Sequence, residues 1–467
     1  MSPTPATRSE RDSMGEFDVP ADAYYGATTM RARRNFPISD LRLPRHFVRA
    51  LGLIKQQAAV TNVDLGLLDA ALGDAIIAAA GEVADGRFDD QFVVDVFQTG
   101  SGTSTNMNAN EVIANRAIEL LGGERGSRSP VHPNDHINIC QSSNDVFPTA
   151  IHVAAAIAIQ RDLLPALGEL EDSLRAKGEE FWGVVKTGRT HLQDATPIRL
   201  GQELLGHAGQ VERARRRAAS AGAELGELAL GGTAVGTGVN CHPEFAKRTI
   251  ARISAATGVA FRETDNHFQA QGSLDNVVAA SGALRAIAIS LFKVAGDIRL
   301  LGCGPRAGIG EVDIPAVQPG SSIMPGKVNP VIAESLTMVS AQVIGNDATI
   351  AFAGAAGSLL ELNVMMPVAA HALLESISLL CNGSRNFAHQ CIDGLRATPN
   401  GPALLERGLM TCTALVPRIG YDAAARIAKQ AYATNRTVRE VALETTDLTE
   451  DELATLLDPA SMTEPGL

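Results

Sequence analysis

The middle of this chain is written in helices too long for one small core. Apolar residues recur at helical spacing over 148–182, from the end of a polar loop at 186–197 to about 228, over 274–301, and over 330–352. Several of these runs reach roughly 25 residues or more, against a mean helix of about 11–12. Ala, Leu, Ile and Val fill them, aromatics make up only 4% of the chain, and that composition favours helix. Helices this long and this apolar need partners along their whole length. The pattern predicts a mainly α chain built on a bundle, with an oligomeric bundle covering faces that one chain leaves bare. Pro148 and Pro165 fall inside the first run, so a kink or break is expected near Pro165.

Shorter helices fit 45–62, 67–84, 106–121, 243–257, 367–380, 422–433 (with Asp422 as N-cap) and 450–457. Residues 1–10 read as a disordered tail and 11–37 as irregular and turn-rich. A chain of 467 residues holds roughly three domains of about 150 residues each. The polar stretch 127–145 suggests one boundary near Cys140, and the helices shorten beyond Asn363. The expected division is 1–140, 141–363 and 364–467, the last a small helical domain.

Charge and motifs narrow the chemistry. A net charge of -12 argues against a nucleic-acid surface, so an anionic ligand would need a local cationic pocket. The run Arg213, Arg215, Arg216, Arg217 reads as a solvated or interface face of a helix. Gly231-Gly232-Thr233-Ala234-Val235-Gly236 has no βαβ context for a dinucleotide fingerprint. The six cysteines form no C-x-x-C and read as reduced cytoplasmic thiols. The polar N-terminus lacks a signal-peptide h-region, and no apolar run reaches about 18 residues without a charge, so no membrane span is expected. His132 and His136 lie four apart, but Pro133 breaks a regular helix between them. A polar loop or anion contact is favoured there over a metal pair.

Four polar segments stand out on this helical background: Ser101-Gly102-Thr103, Ser142-Ser143-Asn144, Thr190-His191, and Gly320-Ser321-Ser322-Ile323-Met324-Pro325-Gly326-Lys327-Val328-Asn329-Pro330. Singly each reads as a cap or turn. Together they offer hydroxyl and amide donors, one lysine and one histidine, a set suited to binding carboxylates and moving a proton. In the last segment Pro325-Gly326 predicts a turn. Asn329 is expected as N-cap and Pro330 as first residue of the next helix, whose N-terminus suits an anion.

At these residues the chain resembles the fumarase/aspartase superfamily, and within it the class II fumarases. Gly320 to Pro330 matches the superfamily signature loop in its Pro-Gly-Lys-Val-Asn-Pro form, and Gly188-Arg189-Thr190-His191-Leu192-Gln193-Asp194-Ala195 looks like the fumarase histidine loop. His132-Pro133-Asn134-Asp135 and Gln141-Ser142-Ser143-Asn144-Asp145 match two further blocks. Supporting matches run from Glu10-Arg11-Asp12 through Gly232–Gly238 to Glu361-Leu362-Asn363-Val364, nearly the whole chain. Aspartases carry Gln at the position of His191 and Pro-Ala-Lys at 325–327, and argininosuccinate and adenylosuccinate lyases differ around the lysine. Aspartate ammonia-lyase is therefore the alternative, and a non-catalytic structural role the more distant one.

The resemblance implies a three-domain helical subunit whose central helices form a twenty-helix core in a homotetramer, with each active site shared between subunits. It implies a fumarate/malate dicarboxylate substrate, a tricarboxylic acid cycle role, and no metal or organic cofactor. Ser321 would be the base, His191 the group acting on the other side, and Glu334 its orienting carboxylate. Ser101, Gly102, Thr103, Ser142, Ser143, Asn144, Thr190, Ser322, Lys327, Val328 and Asn329 would hold the substrate. His132, Pro133, Asn134 and Asp135 would form a secondary anion site, the B site. Two departures bear on this. Ser129-Pro130 stand where related fumarases often carry basic residues, which predicts weaker binding at the B site, and Ala316-Val317-Gln318 is less acidic than in relatives.

Overall fold

The computed structural model describes residues 6–466. Helices dominate, and among the described residues strands occur only in two-stranded sheets. Cα packing separates two compact units. The first holds the chain up to Pro165, Arg216–Ala288 and Ala341–Cys381; the second holds Ala166–Arg215, Ile289–Ser340 and the chain from Asn382 onward.

The long helices form as expected at Leu200–Glu224, Asp275–Leu301 and Val331–Gly357, and the one expected to be shorter, over 367–380, extends as Met366–Phe387. Near Pro165 the chain neither breaks nor ends its helix. Ser143–Ala158 runs into a π-turn, Ile159–Leu163, where the Leu164 N–H donates to the Ile159 carbonyl, and continues as Leu164–Glu180. Pro165 has no N–H to donate and its ring crowds the preceding turn, so the wider turn lets the helix pass the proline. By length and composition 143–180 and 275–301 are apolar enough to cross a membrane, but the first is 67% buried inside the fold over its most apolar window. The second is less covered, with Ile289 and Phe292 about half exposed.

In the first unit, Arg45–Asp64 packs on Ala70–Ala84 almost backbone to backbone: a Cβ on Gly52 would meet the Ala84 nitrogen at 2.5 Å. Phe47 of the first of these helices packs on Phe147 with ring centroids 4.7 Å apart.

Two readings of the N-terminal region are corrected. Where a tail over 1–10 and an irregular stretch are expected, Thr7–Asp12 pairs with Gly15–Pro20 as an antiparallel hairpin, followed by a helix, Ala27–Asn35, while residues 1–5 of that expected tail lie outside the described residues. Charge holds this region together, so apolar periodicity is silent there. Arg8 donates to Glu10 and to the carbonyls of Pro20, Ala23 and Tyr25. The start of 27–35 is capped from far along the chain: the buried Glu111 carboxylate accepts from the N–H groups of Gly26, Thr28 and Thr29 at 2.9–3.0 Å. A third correction is local. The helix at 422 is Tyr421–Thr434 with Gly420 at its N-cap, and Asp422 lies inside the first turn.

In the second unit, the segment read as a loop at 186–197 is a β-hairpin, Val185–Thr190 paired with Gln193–Arg199. The C-terminal helices gather around Leu415, Val441 and Leu453. Two of them, Val438–Thr445 and Glu450–Leu456, start on capping boxes, Thr437 with Glu440 and Thr449 with Glu452.

Candidate functional site

In the first unit the two hydroxyl segments are built into one cluster. Thr103 Oγ1 lies 2.8 Å from Ser101 Oγ and 2.7 Å from Ser143 Oγ, so one hydroxyl chain links the two loops. Gly102 makes this approach possible. Its φ is +74°, and a Cβ there would meet the Phe147 ring at 2.0 Å. Ser142 caps the helix Ser143–Ala158, accepting from the Asn144 N–H while its own N–H donates to Asp145. The Asn144 side chain donates to the Ala234 carbonyl.

Behind this cluster lies a buried polar layer that sequence reasoning did not single out. Asp145 is fully buried and accepts from the N–H groups of Gly231 and Thr233 at 2.9 and 3.0 Å. Burial raises its carboxyl pKa, and the amide bonds from Ser142, Gly231 and Thr233 oppose that rise. The Asn138 carbonyl oxygen accepts from Lys55 Nζ at 3.0 Å and from the Asn106 and Asn110 amides, while its own amide donates to the Gln141 carbonyl at 2.9 Å. Asn138 thus ties the helix behind Thr103 to the strand of chain entering Ser142. Asn138 and Asp145 sit in the Asn- and Asp-dense stretch 127–145, Asp145 at the end of a matched block, whereas Lys55, Asn106 and Asn110 lie within helices and carry no such signal.

In the second unit His191 and Leu192 form the tip of the hairpin, with φ of +57° and +58°. Two residues in the left-handed region make a type I′ turn, normally filled by Asn-Gly. Holding His and Leu there costs of order 1–3 kcal/mol each. The base of the hairpin resists that strain through buried charge: Lys186 is 1% exposed and pairs with Glu203 and Glu311, each at 2.9 Å, and Arg189 pairs with Glu311 at 2.9 Å. Thr190 and His191 at the tip are exposed.

The loop at 320–330 closes on itself. The Lys327 N–H donates to the Met324 carbonyl across Pro325-Gly326, with Gly326 at φ +80°, a type II turn as expected. The Gly320 N–H donates to the Lys327 carbonyl. Ser321 Oγ accepts from two backbone N–H groups, Met324 at 2.9 Å and Ile323 at 3.3 Å. Asn329 does not cap the helix Val331–Gly357. Its amide donates to the Gly320 carbonyl at 2.6 Å and its oxygen accepts from Lys327 Nζ at 2.8 Å, because the loop's two ends need a bridge there. Ser322, Lys327 and Val328 are exposed, and Ile323 is 84% exposed. Glu334 lies in the helix's first turn, where a carboxylate suits the dipole. Among the described residues neither the Glu334 carboxylate nor the His191 ring has a hydrogen-bond or ion-pair partner.

The segment at 132–135 folds as a turn held by its own histidines. His132 Nδ1 accepts from the Asn134 and Asp135 N–H groups, and His136 Nδ1 accepts from the His132 N–H at 2.8 Å. Burial lowers the His132 pKa. Pro133 is buried, and Asn134 and Asp135 are exposed.

A family model described as Lyase matches residues 15–345, and one described as Fumarase C C-terminus matches residues 412–464. The chain is 53% identical to fumarate hydratase class II 2 of Bradyrhizobium diazoefficiens over 99% of this chain and 98% of that protein. It is 56% identical to fumarate hydratase class II of Halobacterium salinarum over 98% of each. Among solved structures, recombinant class II fumarase from Schistosoma mansoni superposes with a TM-score of 0.95 at 39% identity, covering 98% of this chain and 99% of that one. The fumarate lyase:delta crystallin from Brucella melitensis bound to cobalt superposes with a TM-score of 0.94 at 46% identity, covering 98% and 100%. With identity, fold and motifs agreeing along its length, this chain belongs to the class II fumarases of the fumarase/aspartase superfamily.

Proposed function

We propose that this chain adds water across the double bond of fumarate to give (S)-malate, and runs the reaction in reverse, as a hydro-lyase of the tricarboxylic acid cycle in the cytoplasm. The observation that carries this reading is the Ser321 hydroxyl, which accepts from two backbone amides within a loop that also offers Lys327 and Asn329. Removing the C3 proton of malate beside a carboxylate produces an aci-carboxylate with an added negative charge, and such charge needs donors already in place. Lys327, Asn329 and the helix start behind Pro330 supply them. Serine is a poor base unless its alkoxide is stabilised. The Ile323 and Met324 amides are placed to do that, so Ser321 takes the C3 proton.

His191 acts on the other side, protonating the departing hydroxyl or activating water in reverse, and Glu334 of another subunit orients it. Ser101, Gly102, Thr103, Ser142, Ser143, Asn144, Thr190, Ser322 and Val328 hold the two carboxylates. Loop closure over the substrate excludes water and strengthens each contact. The segment 132–135 forms a weak secondary anion site.

The homotetramer belongs to this proposal. Ile289 and Phe292 on one long helix, and Met338 and Phe352 on another, are 50–67% exposed, large apolar side chains that a second copy would cover. Within it the subunit divides at about 140 and 363, as the resemblance implies.

Incubating the protein separately with malate and with aspartate, and following fumarate absorbance, tests the activity. Malate yields fumarate and aspartate does not. Fumarate and ammonia from aspartate alone would transfer the chain to the aspartases.

A further inference from the structure

Two cysteines that the proposed reaction does not use lie together just behind Ser142–Asn144. The His242 backbone N–H donates to Cys140 Sγ at 3.4 Å, which sets that sulfur against the Cys241–His242 peptide. The Cys241 thiol donates to the His242 carbonyl at 3.6 Å, which keeps its sulfur beside the same peptide. Both thiols are free; Cys140 is buried and Cys241 half-buried. Cys140 holds a left-handed backbone, φ +62°, at the end of the turn that Asn138 and Gln141 build. The two segments that carry the cysteines already meet. Asp145 accepts from Gly231 and Thr233, and Asn144 donates to Ala234.

We propose that Cys140 and Cys241 are a modification site, at which a hydroperoxide forms an intramolecular disulfide tying residues 140–145 to residues 231–242. The electrostatics give the two sulfurs different tasks. The neighbouring Cys241 thiol, aided by the His242 amide, brings the Cys140 thiol down to about 7 against the opposing effect of burial, while Cys140 and burial raise Cys241. Cys140 is then substantially thiolate at neutral pH and attacks first. Its sulfur bonds to one peroxide oxygen, the O–O bond breaks, and the leaving oxygen departs as water, or as an alcohol from an organic hydroperoxide. Cys241 attacks the resulting sulfenic sulfur, the S–S bond forms, the S–O bond breaks, and a second water leaves. Two thiols lose two electrons and the hydroperoxide gains them.

The consequence for turnover rests on the fumarate hydratase reading. A disulfide would draw the two free sulfurs to about 2.05 Å. That displaces Cys140, two residues before Ser142, and with it the hydroxyl cluster on Thr103. Such a bond in a cytoplasmic protein is of the reversible, sensing kind.

The test treats the full-length protein with hydrogen peroxide, blocks free thiols with iodoacetamide, and looks for the linked Cys140–Cys241 peptide by mass spectrometry. Malate turnover is followed in parallel. The linked peptide is expected, with at least a fivefold loss of turnover that dithiothreitol restores. Cys241→Ser should start with native turnover and keep it through the same treatment; Cys241→Ala serves if the serine variant does not fold. No linked peptide at any dose that leaves the helical circular dichroism intact overturns the site. Equal inactivation of native protein and the Cys241 variant, or a linked peptide with unchanged turnover, overturns the link to the active site. The mass measurement needs no turnover, so reduced protein inactive on malate would sink the fumarate hydratase reading and leave the disulfide to be judged alone.

Discussion

The hydroxyl cluster at 101–103 and 142–144 and the loop at 320–330 are both sets of small polar residues before a helix, yet they are built in opposite ways. The cluster is partly or wholly buried, its hydroxyls bond to one another, and a second layer of buried Lys55 and Asp145 with half-buried Asn138 backs it. The loop bonds to itself, and most of its side chains face solvent. A group that must hold a carboxylate benefits from being fixed beforehand. A group that must take a proton and then let the product go benefits from being on a segment that moves. Substitutions in the cluster should therefore cost stability as well as binding, and substitutions in the loop should cost turnover alone.

The largest expected effect is in the loop. Ser321→Ala removes the proposed base but leaves the Lys327–Met324 turn and the Asn329 bridge in place. Turnover of malate should fall about 10³-fold, roughly 4 kcal/mol of barrier, with the unfolding midpoint within about 2 °C of the native value. Steady-state kinetics and a thermal melt check it. A near-native rate would mean that the two amides on Ser321 serve only to shape the turn.

How far the sequence speaks differs between these regions for physical reasons. The long helices are legible because their apolar faces repeat at 3.6 residues, and the turn at Pro325-Gly326 because those residues have few other uses. The histidine hairpin is not. Its inward positions are Lys186, Thr187 and Gly188, with Lys186 satisfied by Glu203 and Glu311, so apolar alternation is missing. Its turn holds His191 and Leu192 where Gly or Asn would announce it. Asn329 misleads in another way. The residue type is right for a cap, but the Gly320 carbonyl 2.6 Å away claims its side chain. Asn138 and Asp145 lie in a stretch dense with polar residues, and nothing local distinguishes those that turn inward. The members of the proposed site are readable by motif; what holds them still is not.

The next effect belongs to that hidden layer. Asn138→Ala takes away both the oxygen that accepts from Lys55 and the amide that donates to the Gln141 carbonyl. A buried ammonium loses an acceptor and a carbonyl loses a donor, which should cost about 3 kcal/mol of unfolding free energy in urea. If the cluster is a prearranged carboxylate site, KM for malate should rise more than kcat falls. A variant of native stability would erase the contrast between the two regions, and a fall in kcat alone would move Asn138 towards the chemical step.

The smallest effect sharpens the comparison through charge. Burial pulls the Lys55 ammonium down to about 7, with Asp145 opposing, whereas the unfolded chain titrates this lysine near 10.4. Below pH 7 both states hold the proton, and the folded state carries a buried cation at a desolvation cost. Between about pH 7 and 10 the unfolded state keeps a proton that the folded state has released, so this group makes stability rise with pH across that window. Lys55→Met removes the term, while Asn106 and Asn110 still donate to Asn138. The stability of Lys55→Met relative to native, measured in urea at several values from pH 6 to 10, should be most favourable at the acid end and decline steadily above pH 7. A flat difference would mean that Lys55 keeps its proton throughout, and that the layer behind the hydroxyl cluster stays charged over this whole range.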